Sequence, residues 1–278
     1  MRAVRTIAEL RNRLAGERPA GRTVGLVPTM GALHDGHLSL FRAARSRCDT
    51  VVATIFVNPA QFGPGEDYQR YPRSEAADLA AAEAGGVNLV FLPSVAEMYP
   101  DGFQTSVCPG RLGRIVEGAA RPGHFEGVAT VVAKLFNLVE PGVAFFGQKD
   151  AQQLAVVRRL IADLGFDVAA IACPTVREPD GLALSSRNAY LSAEERAVAP
   201  ALYRALTRAR SRARGPRDSE RIMLDELGRA PGLEVDYALA VDPETFDAAA
   251  PGAPALLVVA ARLGTTRLID NLPVEQWA

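Results

Sequence analysis

Three short segments of this 278-residue chain carry side chains suited to handling an anionic nucleotide. In the first, residues 24–37, an apolar run reaches Pro28, passes Thr29-Met30-Gly31-Ala32-Leu33 and delivers His34 and His37 in the pattern H-x-G-H at the mouth of a helix. The first turn of a helix has unpaired N–H groups and the positive end of the dipole, so anions settle there. Histidines at i and i+3 share one face of that turn, and Gly31 and Gly36, flanking Asp35, let backbone approach a ligand. The spacing alone leaves two uses open, a metal fragment or an imidazole pair donating to phosphate oxygens as charge develops. A metal site would add a third ligand with clear spacing, as in H-E-x-x-H, and none is present downstream.

The second segment, Phe146-Gly147-Gln148-Lys149-Asp150, falls where a strand gives way to a helix. Only Lys134 and Lys149 are lysines among the 31 basic residues, so a lysine here has a use that arginine does not serve. Lys149 fits a compact, mobile charge for a triphosphate, and Asp150 an acceptor for a ribose or a helix cap. Taken alone, the segment reads as a plain cap beside a solvated lysine. The third, Gly181-Leu182-Ala183-Leu184-Ser185-Ser186-Arg187-Asn188, sets two hydroxyls and a guanidinium in a loop suited to phosphate, or to a polar linker. Of the three histidines, only His124 lies outside the first segment.

The elements needed to position these segments alternate. Residues 4–15 repeat at helical spacing and end near Gly16 and Pro19; 23–28 and 50–57 read as strands flanking a helix that continues past His37. Residues 58–67, rich in Pro and Gly, form a loop at a strand's carboxyl end, where such sheets bind ligands. Ser74 is placed to cap an Ala-rich helix ending at Gly85-Gly86, followed by a strand at 88–93. Residues 94–122 read as irregular or short strands. Helices at 125–139 and 151–164 and strands at 143–146 and 168–173 continue the pattern, which predicts an α/β fold with a Rossmann-like doubly wound parallel sheet. Beyond it, helices at 192–214 and 219–227 and strands at 235–241 and 256–261 predict a smaller α+β domain. The expected domains are 1–176 and 177–278.

The net charge of −1 gives no general attraction to nucleic acid or membrane. The arginines of 204–217 read as a solvated helix face rather than a nucleic-acid contact. Residues 1–5 lack a signal peptide's apolar region and no apolar run is long enough to span a bilayer, so the expected location is the cytoplasm. Cys48, Cys108 and Cys173 are far apart, form no C-x-x-C and read as small core hydrophobes.

Together the H-x-G-H motif, the Gly-x-Lys-Asp segment and the Ser-Ser-Arg-Asn loop resemble the nucleotidyltransferase superfamily that includes class I aminoacyl-tRNA synthetases, the last loop resembling its K-M-S-K-S signature. More narrowly, residues 28–34, Phe56-Val57-Asn58-Pro59-Ala60-Gln61-Phe62, Arg121-Pro122-Gly123-His124-Phe125 and the Ser-Ser-Arg loop resemble the pantothenate synthetase (pantoate:β-alanine ligase) family. The resemblance implies ATP- and Mg²⁺-dependent condensation of pantoate with β-alanine through a pantoyl adenylate, in a homodimer joined through the N-terminal domain. It assigns ATP to Met30, Gly31, Ala32, Leu33, His34, Asp35, Gly36, His37, Gly147, Gln148, Lys149, Asp150, Val176, Leu184, Ser185, Ser186 and Arg187. His37 is its proton donor, and His34, Lys149 and Arg187 join it in neutralising charge. Pantoate falls to Gln61 and Gln153, with Gln61 also contacting β-alanine.

Asn58 is expected to shape that pocket or bind there, Arg121 to act as a substrate-side cation and His124 to be structural. Gln148 stands where many relatives have Glu. Magnesium is expected mainly on the ATP phosphates, with Asp78 as a protein candidate against the plainer reading of an exposed helical carboxylate. An adenylyltransferase acting on a phosphorylated acceptor shares H-x-G-H but calls for more cations than Asn58 and Gln61 supply. A nucleotide-binding module without turnover fits poorly with the intact His, Lys and Ser-Arg set.

Overall fold

The computed structural model describes residues 1–17 and 21–278; the expected helix end near Pro19 lies outside the described residues. The chain forms two compact units, one of Met1–Gln148 and Val156–Pro174, the other of Lys149–Ala155 and Thr175–Ala278.

In the first unit six strands form one sheet: β1 (Arg2–Val4), β2 (Val24–Thr29), β3 (Thr50–Ile55), β4 (Leu89–Phe91), β5 (Val143–Gly147) and β6 (Ala169–Cys173). Their order is β1-β4-β3-β2-β5-β6 and every neighbouring pair is parallel. The chain winds outward from β2 in both directions, so the carboxyl ends of β2 and β5 mark the switch point where open sheets receive ligands. Val27, Val51, Val90 and Phe145 on the sheet pack with Phe41 and Ala44 of α2 (Asp35–Arg45) in one buried cluster. Burial on both faces explains the unbroken apolar runs of the central strands.

Pro28 is tolerated inside a central strand for a local reason. β5 pairs with β2 only at Gly25 and Leu26, so Pro28 lies beyond that ladder, where no N–H is required of it.

The first helix, α1 (Ile7–Leu14), is shorter than its periodicity predicts, and residues 2–4 form a strand that the sequence pattern does not reveal. The boundary is set by a capping box: Thr6 Oγ1 accepts from Glu9 N at 3.2 Å, and Glu9 Oε2 accepts from Thr6 N at 3.1 Å. α3 (Glu75–Ala84) follows Ser74, whose side chain makes no capping bond. Residues 94–122 hold two one-turn helices, α4 (Val95–Met98) and α5 (Glu117–Ala120), and no named strand. Cys108 there is exposed, not a core residue, whereas Cys48 and Cys173 are buried. α6 (His124–Val139) and α7 (Ala151–Leu164) stand where their periodicity predicts.

In the second unit the long helix expected over 192–214 is two, α8 (Ala193–Val198) and α9 (Ala201–Arg212), divided at Pro200, which has no N–H to continue the ladder. With α10 (Pro216–Leu227) they accompany an antiparallel sheet β7 (Leu233–Val241), β8 (Ala255–Leu263) and β9 (Thr266–Val274). Leu202, Leu206, Met223, Leu227, Leu257 and Val259 form the core. β9 is not evident from the sequence because Asp270 and Asn271 interrupt its apolar pattern. Arg208 of α9 pairs with Glu226 of α10 at 3.2 Å, a role within the fold for one arginine of the basic run.

Candidate functional site

The turn after β2 is tied down by its own side chains. Gly31 has φ +83° and Ala32 has φ +50°, so two successive residues are left-handed, a conformation that strains the alanine. A Cβ at position 31 would also lie 2.8 Å from Asp78 Oδ2. Asp78, buried on α3, compensates the strain: its Oδ2 accepts from Ala32 N at 3.0 Å and its Oδ1 from Leu33 N at 2.8 Å. Successive backbone N–H groups of this kind make an anion nest, and the anion here is the protein's own carboxylate. Asp78 is therefore neither an exposed helical carboxylate nor a good magnesium ligand, because both oxygens already hold the turn.

The two histidines form a capping box of their own. His34 is the N-cap of α2 and its Nδ1 accepts from Gly36 N at 3.1 Å; His37, at the third helical position, accepts from His34 N at 3.3 Å through its own Nδ1. The i, i+3 spacing is thus the spacing of a box normally built from Ser or Thr and Glu. Because each Nδ1 accepts from a backbone donor, each neutral ring carries its proton on Nε2. The rings touch at a tilt of 44°, with centroids 4.1 Å apart. The N–H groups of Gly31, Ala32, Leu33, His34, Gly36 and His37 all bond within the protein. Sequence alone suggested open backbone N–H groups to receive an anion; the imidazole Nε2–H groups are the better candidates.

The loop after β3 is built around Asn58, which is 1% exposed. Its Oδ1 accepts from Tyr99 OH at 2.7 Å and Ala60 N at 3.3 Å, and its Nδ2 donates to Gln61 Oε1 and Gly127 O, each at 3.1 Å. With four bonds made inside the fold, Asn58 orients Gln61 rather than binding substrate itself, a correction to its expected direct role. Gln61 consequently presents Nε2, 3.1 Å from Met30 Sδ, as a donor. The close packing needs a glycine: a Cβ at Gly127 would collide with the backbone of Ala60 and Gln61. Burial pushes the Tyr99 hydroxyl up to about 12 against the pull of its bond to Asn58, so it stays protonated and donates.

Arg121 also departs from expectation. Nε and Nη2 bind Glu66 at 2.8 and 2.6 Å, Nη1 lies 3.0 Å from His124 Nε2, and Nη2 reaches Gln61 O at 3.3 Å. A guanidinium so occupied is a structural clamp, not a substrate-side cation. Burial works to raise the Glu66 carboxyl, but its bonds to Arg121 carry it below the usual range. His124 completes the clamp, its Nδ1 2.8 Å from Gln61 O, a carbonyl that can only accept. Burial, seconded by the Arg121 charge, brings His124 down to about 4, so the ring is neutral.

The second unit carries the other set. Lys149 is partly buried, with Nζ 3.3 Å from Asp150 Oδ1 in a single 3-10 turn before α7. Gln153 lies in the first turn of α7, half-buried. Leu184 N bonds Val176 O at 3.0 Å, bringing those two residues together across a small hairpin, and Ser185 caps the 3-10 helix Ser186–Tyr190 by accepting from Arg187 N at 3.3 Å. Gly147 ends β5, and Gln148 comes next within the first unit.

A sequence model of the family described as pantoate–β-alanine ligase matches residues 2–273. The chain belongs to the pantoate–β-alanine ligase family. It is 53% identical to the pantothenate synthetase of Acidobacterium capsulatum, over 98% of this chain and 96% of that one. It is likewise 53% identical to the pantothenate synthetase of Chloroflexus aurantiacus, over 99% of each. Among crystal structures, the pantothenate synthetase of Thermus thermophilus superposes with a TM-score of 0.93 at 52% identity, covering 99% of this chain and all of that one. A Francisella tularensis pantoate–β-alanine ligase, crystallised with β,γ-ATP and β-alanine, gives 0.83 at 33% identity over 98% and 97%.

Among the described residues there is no group of three or more His, Cys, Asp and Glu side chains able to hold a metal ion. Magnesium carried by nucleotide phosphates and water needs no such cage. The motifs of the sequence pass over Glu66, Tyr99, Arg177, Asp270 and Asn271. Asp270 and Asn271 left no local signal, because they interrupt the pattern of their own strand, whereas Asp78 left one as a carboxylate four residues before Ala82 on one helix face.

Proposed function

We infer that this chain joins pantoate to β-alanine with ATP, releasing AMP and pyrophosphate through a pantoyl adenylate. The single observation that carries the mechanism is the histidine capping box, which seats both imidazoles at the start of α2, just after the carboxyl end of β2, with each neutral ring's proton on Nε2. In the first step a pantoate carboxylate oxygen attacks the α-phosphorus and the bond to pyrophosphate breaks. His34, His37, Lys149 and Arg187 neutralise charge on the phosphates, with His37 donating a proton. Magnesium, carried in with the nucleotide, would supply further neutralisation. Gln61, its amide sense fixed by Asn58, donates to pantoate, and Gln153 supplies a second neutral amide.

In the second step the β-alanine amine attacks the acyl carbonyl, AMP leaves with the bonding pair, and the amine loses a proton. AMP is already a good leaving group, so alignment contributes most. The remaining assignments are those of the family: residues 30–37, 147–150, Val176 and 184–187 for ATP, residues 177–278 as a lid, and a cytoplasmic homodimer without nucleic-acid or membrane partners. Among the described residues no helix is long and apolar enough to cross a membrane.

The test is exchange of labelled pyrophosphate into ATP. Exchange that depends on pantoate is the expected result. Exchange that appears only with a phosphorylated acceptor would replace the ligase reading with an adenylyltransferase.

A further inference from the structure

We propose that Asn271, on the last strand, is a positioning residue for Lys149, fixing the main chain from which that lysine reaches the phosphates. Asn271 Nδ2 donates to Lys149 O at 2.8 Å, joining positions 122 residues apart. The bond stands on a rigid base. β9 buries Leu268, Leu272 and Val274, and among them sit Asp270 at 4% exposure and Asn271 at 7%.

A buried amide and carboxylate in such a strand are tolerated only with partners, and here the partners are specific. Asp270 takes Arg177 in a two-pronged pair at 2.6 and 2.9 Å and accepts from Asn271 N at 2.8 Å. Arg177 Nη2 returns to Asn271 O at 3.4 Å, and its guanidinium lies 4.0 Å from the centre of the Tyr203 ring. Both main-chain groups of Asn271 are thus bonded to fixed neighbours, and its side chain grips the lysine peptide.

The grip matters because Lys149 lies in a single 3-10 turn entering α7, a poorly self-supported piece of backbone. Its ammonium hangs on a flexible stem, so the placement of the charge depends on the placement of the peptide. Groups that orient metal-ligating side chains from behind carry roughly ten- to hundredfold effects, and an effect of that order is expected of a group that orients Lys149. In this proposal the C-terminal strand serves the first half-reaction while touching neither substrate.

The proposal rests on the reading that Lys149 acts on the departing pyrophosphate, and the experiment separates the two. Asn271→Leu removes the donor at similar volume, and Asn271→Asp replaces it with an acceptor. Each variant is assayed for pantoate-dependent pyrophosphate exchange and for aminolysis of preformed pantoyl adenylate by β-alanine, from which pyrophosphate is already gone. Exchange falling roughly tenfold or more in both variants, with aminolysis within twofold of wild type, is expected. Unchanged exchange, or equal loss in both half-reactions, overturns the proposal. Lys149→Ala runs alongside: if it retains exchange, the reading of Lys149 fails; if it loses exchange while the Asn271 variants keep it, only the positioning role fails.

Discussion

His124 offers the sharpest quantitative test of the clamp beneath Gln61. Its imidazole has an ordinary value of 6.5 and is brought down to about 4 in the fold, by burial first and by the Arg121 charge second. Below pH 6.5 the unfolded chain takes up a proton that the folded chain refuses. Stability attributable to this group is therefore full above pH 7, declines as pH falls from 6.5 toward 4, and levels off below. Single-site linkage puts the loss at pH 4.5 at about 2–3 kcal/mol. His124→Asn keeps an amide N–H near the Nδ1 position to donate to Gln61 O but does not titrate. Urea unfolding at pH 7 and 4.5 gives the comparison, in which wild type should lose about 2–3 kcal/mol more than the variant. Carboxylates such as Glu66 titrate in both proteins and cancel in the difference. Parallel stability profiles would refute the buried neutral histidine.

Two further substitutions probe the same unit. Asp78→Asn leaves one of the Ala32 and Leu33 N–H groups facing an amide NH₂ and should cost about 2–4 kcal/mol in urea unfolding; a change below about 0.5 kcal/mol would contradict the nest assignment. Asn58→Asp presents only acceptors to Gln61 Oε1 and turns that amide over, so KM for pantoate should rise roughly tenfold, the size of one lost hydrogen bond, while KM for ATP holds. Equal rises in both constants would show that Asn58 merely supports the loop.

The strands and helices that position the chemistry were legible because β2, β3 and β5 are buried on both faces and α6 and α7 carry a clean helical period. Residues 2–4 were not, since three residues cannot display a period and their role is to pair with β4 at the sheet edge. β9 was hidden by Asp270 and Asn271, whose polar side chains make sense only once Arg177 and Lys149 O are placed beside them. The same limit governed the site. Types and spacing drew attention to His34 and His37, and to Lys149 only in company with the other segments, but the engagement of Arg121 with Glu66, or of Asn58 with Tyr99, is long-range geometry that no local pattern encodes. Arg121 read as a cation awaiting substrate because its partner lies 55 residues away.

The Asp78 carboxylate in the Gly31–Leu33 turn has a thermodynamic consequence. A loop that wraps an incoming anion loses its conformational freedom at the moment of binding, and that loss is subtracted from affinity. Here the turn closes around a side chain of the protein itself, so the loss falls in folding instead. A ligand meeting this turn would find a surface whose shape does not depend on its arrival, and its affinity would reflect contacts formed rather than disorder removed.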